Sequence, residues 1–492
     1  MNNAVILPIL VPLLTGIILV LLSRSIHWQR MVSGTSVLIN AAAAVLLLIE
    51  TGGLGIQTLN LGGWNAPYGI VLVADRLAAL LVFTAALISV SCMFYAFRSI
   101  NRQREEHHFY AFFHFLMAGV NGSFLTGDLF NMFVCFELML MSSYALIVLG
   151  GTSHQLRETL KYVLINIVSS AMFVAAIGFL YSITGTLNLA HLSVRVTEIG
   201  QDGILSVISV LLLIVFSIKA GLFLFFWLAG SYAAPPSVVT ALFAGLLTKV
   251  GLYAIIRIFT LIFYHDPDLT QTVIGTMAGA TMILGVIGAV SYMDVNKIMV
   301  YNVVAGVGFV AYGMASSSKI ALEGLLLYLF HDMLIKTLLF LLGGALIAAA
   351  GTSNLNKMGG LIKSYPLLGW MLFITALALA GVPPLSGFPG KLMLFEGGLE
   401  AGLYGLTIIA IVASLLMMYS IIKIFIKAFW GTPVTQKEIT LYPVRPLLLS
   451  SMLLFVLIIC IGPAAELIYP FVSESGTLLL KPELYINAVL KE

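Results

Sequence analysis

The chain has 492 residues, of which 60% are hydrophobic and 9% charged, with a net charge of +3 and a mean hydropathy of +1.07. Soluble domains carry roughly 25% charged residues, so a string of soluble domains is excluded, and the small, dispersed positive charge suits no nucleic acid. An all-α polytopic membrane protein remains.

Apolar runs between charged or Gly/Pro-rich breaks give fourteen spans, near 3–22, 31–49, 71–97, 109–126, 129–150, 160–183, 204–228, 236–263, 271–293, 297–316, 320–350, 366–396, 402–430 and 446–470. The first has no basic leader and no small-residue cleavage site, so it reads as a retained helix rather than a signal peptide. The longest soluble piece is a tail after residue 471. Cys92, Cys135 and Cys460 lie far apart, without Cys-x-x-Cys or Cys/His clusters. No disulfide, zinc or iron–sulfur centre is expected from them, and no cofactor.

Connections 1–2, 3–4, 5–6, 9–10, 11–12 and 13–14 hold Arg24, Arg30, Arg98, Arg102, Arg104, Arg157, Lys161, Lys297, Lys357, Lys363, Lys437 and Arg445. The opposite connections hold little beyond Arg195 and Lys319. The positive-inside rule then places the first group in the cytoplasm and both termini outside.

Ionisable residues inside the spans carry the functional signal, because each costs about 2.5–3.5 kcal/mol at the centre of a bilayer-spanning helix. In chain order they are Glu137 in span 5 ("LFNMFVCFELMLMSSYAL"), Lys219 in span 7, Lys249 in span 8, Lys336 in span 11 and Lys391 in span 12. Each has a bland alternative. A lysine near a helix end snorkels to the interface, and a buried acid pairs with a base for structure alone. Lys336 has a local partner in Asp332, four residues earlier in the favourable order, and the adjacent His331 leans towards proton handling. Asp332 itself and Lys423 in span 13 are secondary candidates. One acid followed by a line of lysines is what a proton relay requires. A lysine removed from water can release and rebind its proton as a neighbouring charge moves. In that relay Glu137 meets Lys219 and sets its charge state.

Span 12 contains "ALAGVPPLSGFPGK", with Pro383, Pro384 and Pro389 at membrane depth. Proline removes an amide donor, and the freed carbonyls are tolerable only where protein or water surrounds them. In span 7 the matching break follows Lys219, on Gly221 and Gly230, with Pro235 and Pro236 at the exit. Interrupted helices at matching places in two halves point to an inverted repeat. Spans 4–8 and 9–13 fit, since five crossings must invert topology. The expected division is 1–108 (spans 1–3), 109–263 (first repeat), 271–430 (second repeat) and 431–492 (span 14 and tail).

Five stretches together resemble a known family: "GSFLTGDLFNMFVCFELMLMSSYALI" with Glu137, "SIKAG" with Lys219, "PPSVVTALFAGLLTKVGLYAIIRI" with Lys249, "HDMLIK", and "LAGVPPLSGFPGK" with Lys391. They are similar to the antiporter-like subunits of respiratory complex I, membrane-bound hydrogenases and the Mrp multisubunit Na⁺/H⁺ antiporter. "LTGDLFN", "GGLIK", the length and a lysine at 391 most resemble the D-type family of Mrp antiporter subunits. The resemblance implies a bacterial cytoplasmic membrane, partner membrane subunits, and H⁺ and Na⁺ as transported ions, with no substrate chemistry. Its alternative is a proton-pumping component of a complex I-like oxidoreductase or hydrogenase. A stand-alone metabolite carrier should show a polar substrate pocket instead, and "GFPGKL" lacks the spacing of a phosphate-binding loop. Two departures stand out. The family's prolines after the span 7 lysine are missing from "LFLFFWLAGSY", and Asp332 stands where histidine is common.

Overall fold

The computed structural model describes residues 3–431 and 443–491, so Lys437 lies outside the described residues. Among the described residues ten helices are long and apolar enough to cross a bilayer, and Arg445–Ile461 with Ala465–Leu480 is an eleventh if that bent pair is taken as one broken span. The remaining three expected crossings are the shorter apolar helices Phe109–Leu125, Ile204–Ala220 and Pro366–Ala380. At about 1.5 Å per residue a helix of some 17 residues covers ~25 Å, just under the ~30 Å hydrocarbon core. Two of these three are short because they are the first halves of broken spans 7 and 12.

Several span ends differ from expectation: spans 2 and 6 run longer, as Ile26–Leu54 and Ser153–Thr184, than the expected 31–49 and 160–183. Span 3 is helical only from Arg76 to Ser99, because Val71–Ala74 forms a strand paired antiparallel with Gln57–Asn60. The apolar run 71–74 continues the hydrophobicity of the helix, so composition alone could not separate them. Asp75 marks the true start, its carboxylate accepting the Ala78 amide at 2.8 Å. After Ile461 the chain turns by 85°. Ala465–Leu480 covers the end of the expected span 14 and the start of the expected soluble tail, which continues as the helix Pro482–Leu490. Finally, an amphipathic helix, Leu189–Ile199, joins spans 6 and 7.

The repeat is visible in backbone contacts rather than in letters. Asp128 caps span 5 through the Asn131 amide and bridges to Asn188, which follows span 6. Asp294 caps span 10 through the Lys297 amide and bridges to Asn354, which follows span 11, an equal interval further along the chain at both ends. Gly119 in span 4 lies so close to span 5 that a Cβ would sit 2.6 Å from the Met139 nitrogen. Gly285 in span 9 makes the same approach to Ala305 of span 10, at 2.7 Å. Each repeat thus begins with two helices packed backbone to backbone through a glycine.

Span 14 braces the break in span 12. The Ser386 amide donates to Ile458 O at 3.1 Å, and a Cβ on Gly462 would overlap the Pro384 carbonyl oxygen. Gly462 has a φ of −61 that any residue adopts, so close approach, not backbone freedom, requires glycine here. Overpacking of this kind costs about 1–3 kcal/mol. Gly462→Ala should lower both membrane abundance and ion exchange, whereas Gly178→Ala, where a Cβ meets nothing within 4 Å, should change neither. Equal abundance and exchange for the two variants would remove the bracing role.

Candidate ion-translocation site

The sequence-derived residues gather into two charged centres and a terminal lysine. In the first centre, Glu137 of Leu129–Val148 and Lys219 of Ile204–Ala220 are joined through a third helix. Ser170, in Ser153–Thr184, donates its hydroxyl proton to Glu137 Oε1 and accepts from Lys219 Nζ at 3.1 Å. The direct meeting of Glu137 and Lys219 expected from sequence is thus replaced by a hydroxyl bridge. The Lys219 ammonium also lies 5.5 Å from the centre of the Phe136 ring.

Lys219 sits in the last turn before the break. Gly221, with φ +73, ends the helix, and the Leu222 amide returns to Ser217 O at 2.9 Å. This is the left-handed closure that glycine adopts without a Cβ penalty. Phe223 is also left-handed (φ +60), and its amide is held by Thr281 Oγ1 of span 9 at 2.8 Å. Gly221 therefore ends the helix where the family's prolines are missing. Gly230, the second glycine expected at the break, lies instead in the turn Leu228–Ser231, packed against the Glu158 side chain.

The second centre is fully buried. Lys249 Nζ lies 2.8 Å from Asp332 Oδ2, and Lys336 Nζ lies 3.4 Å from Asp332 Oδ1. The expected local pair of Asp332 and Lys336 is present, but one carboxylate serves two lysines from different helices. Lys249 follows the π-helical turn Phe243–Leu247 and donates to Ala244 O at 2.9 Å. Such a turn shifts the helix register and disturbs its regular hydrogen bonds, as is common at functional sites. Gly306 of span 10 admits the carboxylate, since a Cβ there would lie 2.7 Å from Asp332 Oδ1.

His331 connects this centre to span 12, with Nδ1 2.8 Å from Ser386 Oγ, while its Nε2 has no hydrogen-bond partner among the described residues. Lys391, in Gly387–Glu400, donates to Leu379 O (2.7 Å), Ala380 O (3.2 Å) and Ser414 Oγ (2.6 Å). It is 2% exposed, which removes the snorkelling alternative. Lys423 donates to Val290 O (2.8 Å) and Tyr292 O (2.7 Å) at the end of Pro267–Ser291, away from the other lysines. Sequence reasoning missed Ser170, Ser386 and Ser414. Single serines in apolar helices usually bond to their own backbone, so nothing in the letters separated these three.

The family described as NADH:quinone oxidoreductase/Mrp antiporter matches residues 126–417. The chain is 51% identical to a D-type Na⁺/H⁺ antiporter subunit of Bacillus subtilis, over 100% of both chains. It is 48% identical to the D-type antiporter subunit of Alkalihalophilus pseudofirmus, again over 100% of both. A chain in the solved Mrp complex from a Dietzia species superimposes with a TM-score of 0.93 at 29% identity, covering 100% of each chain.

Proposed function

This chain belongs to the NADH:quinone oxidoreductase/Mrp antiporter family, and from that premise we propose that it is the D-type component of a multisubunit Na⁺(K⁺)/H⁺ antiporter. It carries protons through a buried relay that drives cation efflux. It is a transport protein and not an enzyme. The relay runs from Glu137 through Ser170 to Lys219, on to the Lys249–Asp332–Lys336 centre, and by His331 and Ser386 to Lys391. Lys423 is proposed as a helix cap, because a lysine at a helix C-terminus satisfies the last carbonyls. The expected division at 109–263 and 271–430 puts one half of the relay in each repeat. Its setting is the bacterial cytoplasmic membrane, with both termini on the outer side.

One observation carries the assembly. Glu137 is only half-buried in the isolated chain, on a helix face it shares with Val134 and Met141, which are 47% and 64% exposed. A carboxylate at membrane depth must face protein or water rather than lipid, so a partner protein covers this face. Gentle solubilisation should recover the chain with several small membrane proteins, and the purified chain alone in liposomes should give no sodium-dependent proton exchange. Full exchange by the lone chain would overturn the assembly. Co-elution with quinone- or hydrogen-reducing proteins would move the relay to a redox-driven pump.

A further inference from the structure

Lys391 is buried without an acid beside it. Among the described residues no carboxylate lies within ion-pairing distance of it, and its partners are three neutral oxygens, from Leu379, Ala380 and Ser414. The origin of that cradle is the break itself. The helix Pro366–Ala380 closes with Gly381 in the left-handed region (φ +86). Its amide returns to Ala378 O at 3.1 Å, and the Val382 amide to Leu377 O at 3.1 Å. Those turns satisfy two of the four terminal carbonyls. The other two, on Leu379 and Ala380, face the Lys391 ammonium. Ser414 Oγ gives its proton to Ala380 O at 2.8 Å, which leaves its lone pairs for the ammonium. The Phe309 ring, 4.8 Å from Nζ, completes the surround.

We propose that the oxygens of Leu379, Ala380 and Ser414 form a monovalent-cation site that the Lys391 ammonium and Na⁺ occupy in turn. The proposal deepens the relay reading and rests on it, since Lys391 must give up its proton for the exchange to occur. Carbonyls at half-helix C-terminal ends coordinate cations in broken-helix transporters, and the helix end carries partial negative charge. When one Nζ–H bond breaks and the proton leaves along the relay, the cradle loses a charge and one of its three oxygens loses its donor. Unsatisfied backbone groups inside a membrane cost several kcal/mol. Entry of one Na⁺ restores both the charge and the coordination, so the swap of proton for sodium leaves the local charge unchanged. Among the described residues the titratable groups facing Lys391 lie on span 11: Tyr328, whose ring centre is 6.0 Å from Nζ, and His331, Asp332 and Lys336. At the matching break of span 7, Lys219 leans through Ser170 on Glu137 instead.

The test is ²²Na⁺ binding to the purified, assembled complex at neutral pH. Lys391→Met keeps the apolar stem but removes the ammonium, and should bind one more Na⁺ per complex than the native protein. Adding Ser414→Ala should weaken that extra site at least tenfold. Lys423→Ala, which removes a carbonyl-held ammonium outside the cradle, should bind no extra Na⁺. Proton exchange measured on the same preparations separates the two readings. An inactive Lys391→Met complex with no extra Na⁺ overturns the cradle and leaves the relay standing. An active one overturns the relay through Lys391 and, with it, the alternation of ammonium and Na⁺ in the cradle. Should Lys391→Met fail to assemble, Ser414→Ala alone decides. It should raise the apparent KM for Na⁺ in exchange several-fold, and an unchanged KM overturns the cradle.

Discussion

Glu137→Gln should abolish sodium-driven proton exchange in everted vesicles while the protein stays as abundant in the membrane as the native chain. The amide keeps the volume and still accepts from the Ser170 hydroxyl, which in turn still accepts from Lys219. What disappears is the negative charge that favours a protonated Lys219, an effect strongest within about 4–6 Å. Glu137→Asp keeps the charge about one methylene short of Ser170 and should retain partial exchange. Ser170→Ala breaks the hydroxyl bridge but keeps both charges, so exchange should fall about tenfold (~1.4 kcal/mol) rather than vanish, and Ser170→Thr should restore much of it. A structural pair predicts a different ranking. Removing one partner of a buried ion pair costs about 3–5 kcal/mol, so the Glu137→Gln protein would then fail to accumulate. An abundant and fully active Glu137→Gln protein would sink the relay.

Asp332→Asn should do the opposite, with the protein itself lost from the membrane. Asp332 is the single acid between Lys249 and Lys336, and all three side chains are fully buried. Neutralising it leaves two buried cations facing each other, and breaking even one buried pair costs about 3–5 kcal/mol. Whole domains are stable by only about 5–15 kcal/mol, so abundance should fall steeply. Replacing the whole centre with apolar side chains of similar size is often neutral or stabilising. The triple variant Lys249→Met, Asp332→Leu, Lys336→Met should therefore recover abundance without any exchange. Normal abundance and exchange for Asp332→Asn would show that the two lysines are neutral at rest, and the centre would not be the charged junction described above. The contrast with Glu137 follows from placement. Glu137 is half-buried, with a hydroxyl between it and its lysine, whereas Asp332 is sealed between two ammonium groups.

Much of this protein was legible in its letters. The fourteen spans could be read because lipid permits only helices whose backbone bonds are internal, and a run of about twenty apolar residues has few other uses. The buried charges could be read for the same reason, since a Glu, Asp or Lys at membrane depth is too costly to be incidental. Glu137, Lys219, Lys249, Lys336 and Lys391 needed no structure to be singled out, and neither did the proline-marked break in span 12. Pairing was another matter. The local order of Asp332 and Lys336 pointed to each other, but Lys249 reaches Asp332 from span 8, a contact visible only once spans 8 and 11 are packed. Ser170, Ser386 and Ser414 carried no signal, because a hydroxyl's role depends on which helix lies opposite. The 85° turn after Ile461 falls on the Gly462-Pro463 dipeptide, inside the apolar run 446–470, and its packing against Pro384 is visible only in three dimensions. Periodicity and transfer energy are local, so the sequence alone determined which segments cross the membrane and which charges are out of place. Which charges face one another depends on close approach between distant helices, and only the tertiary structure decided that.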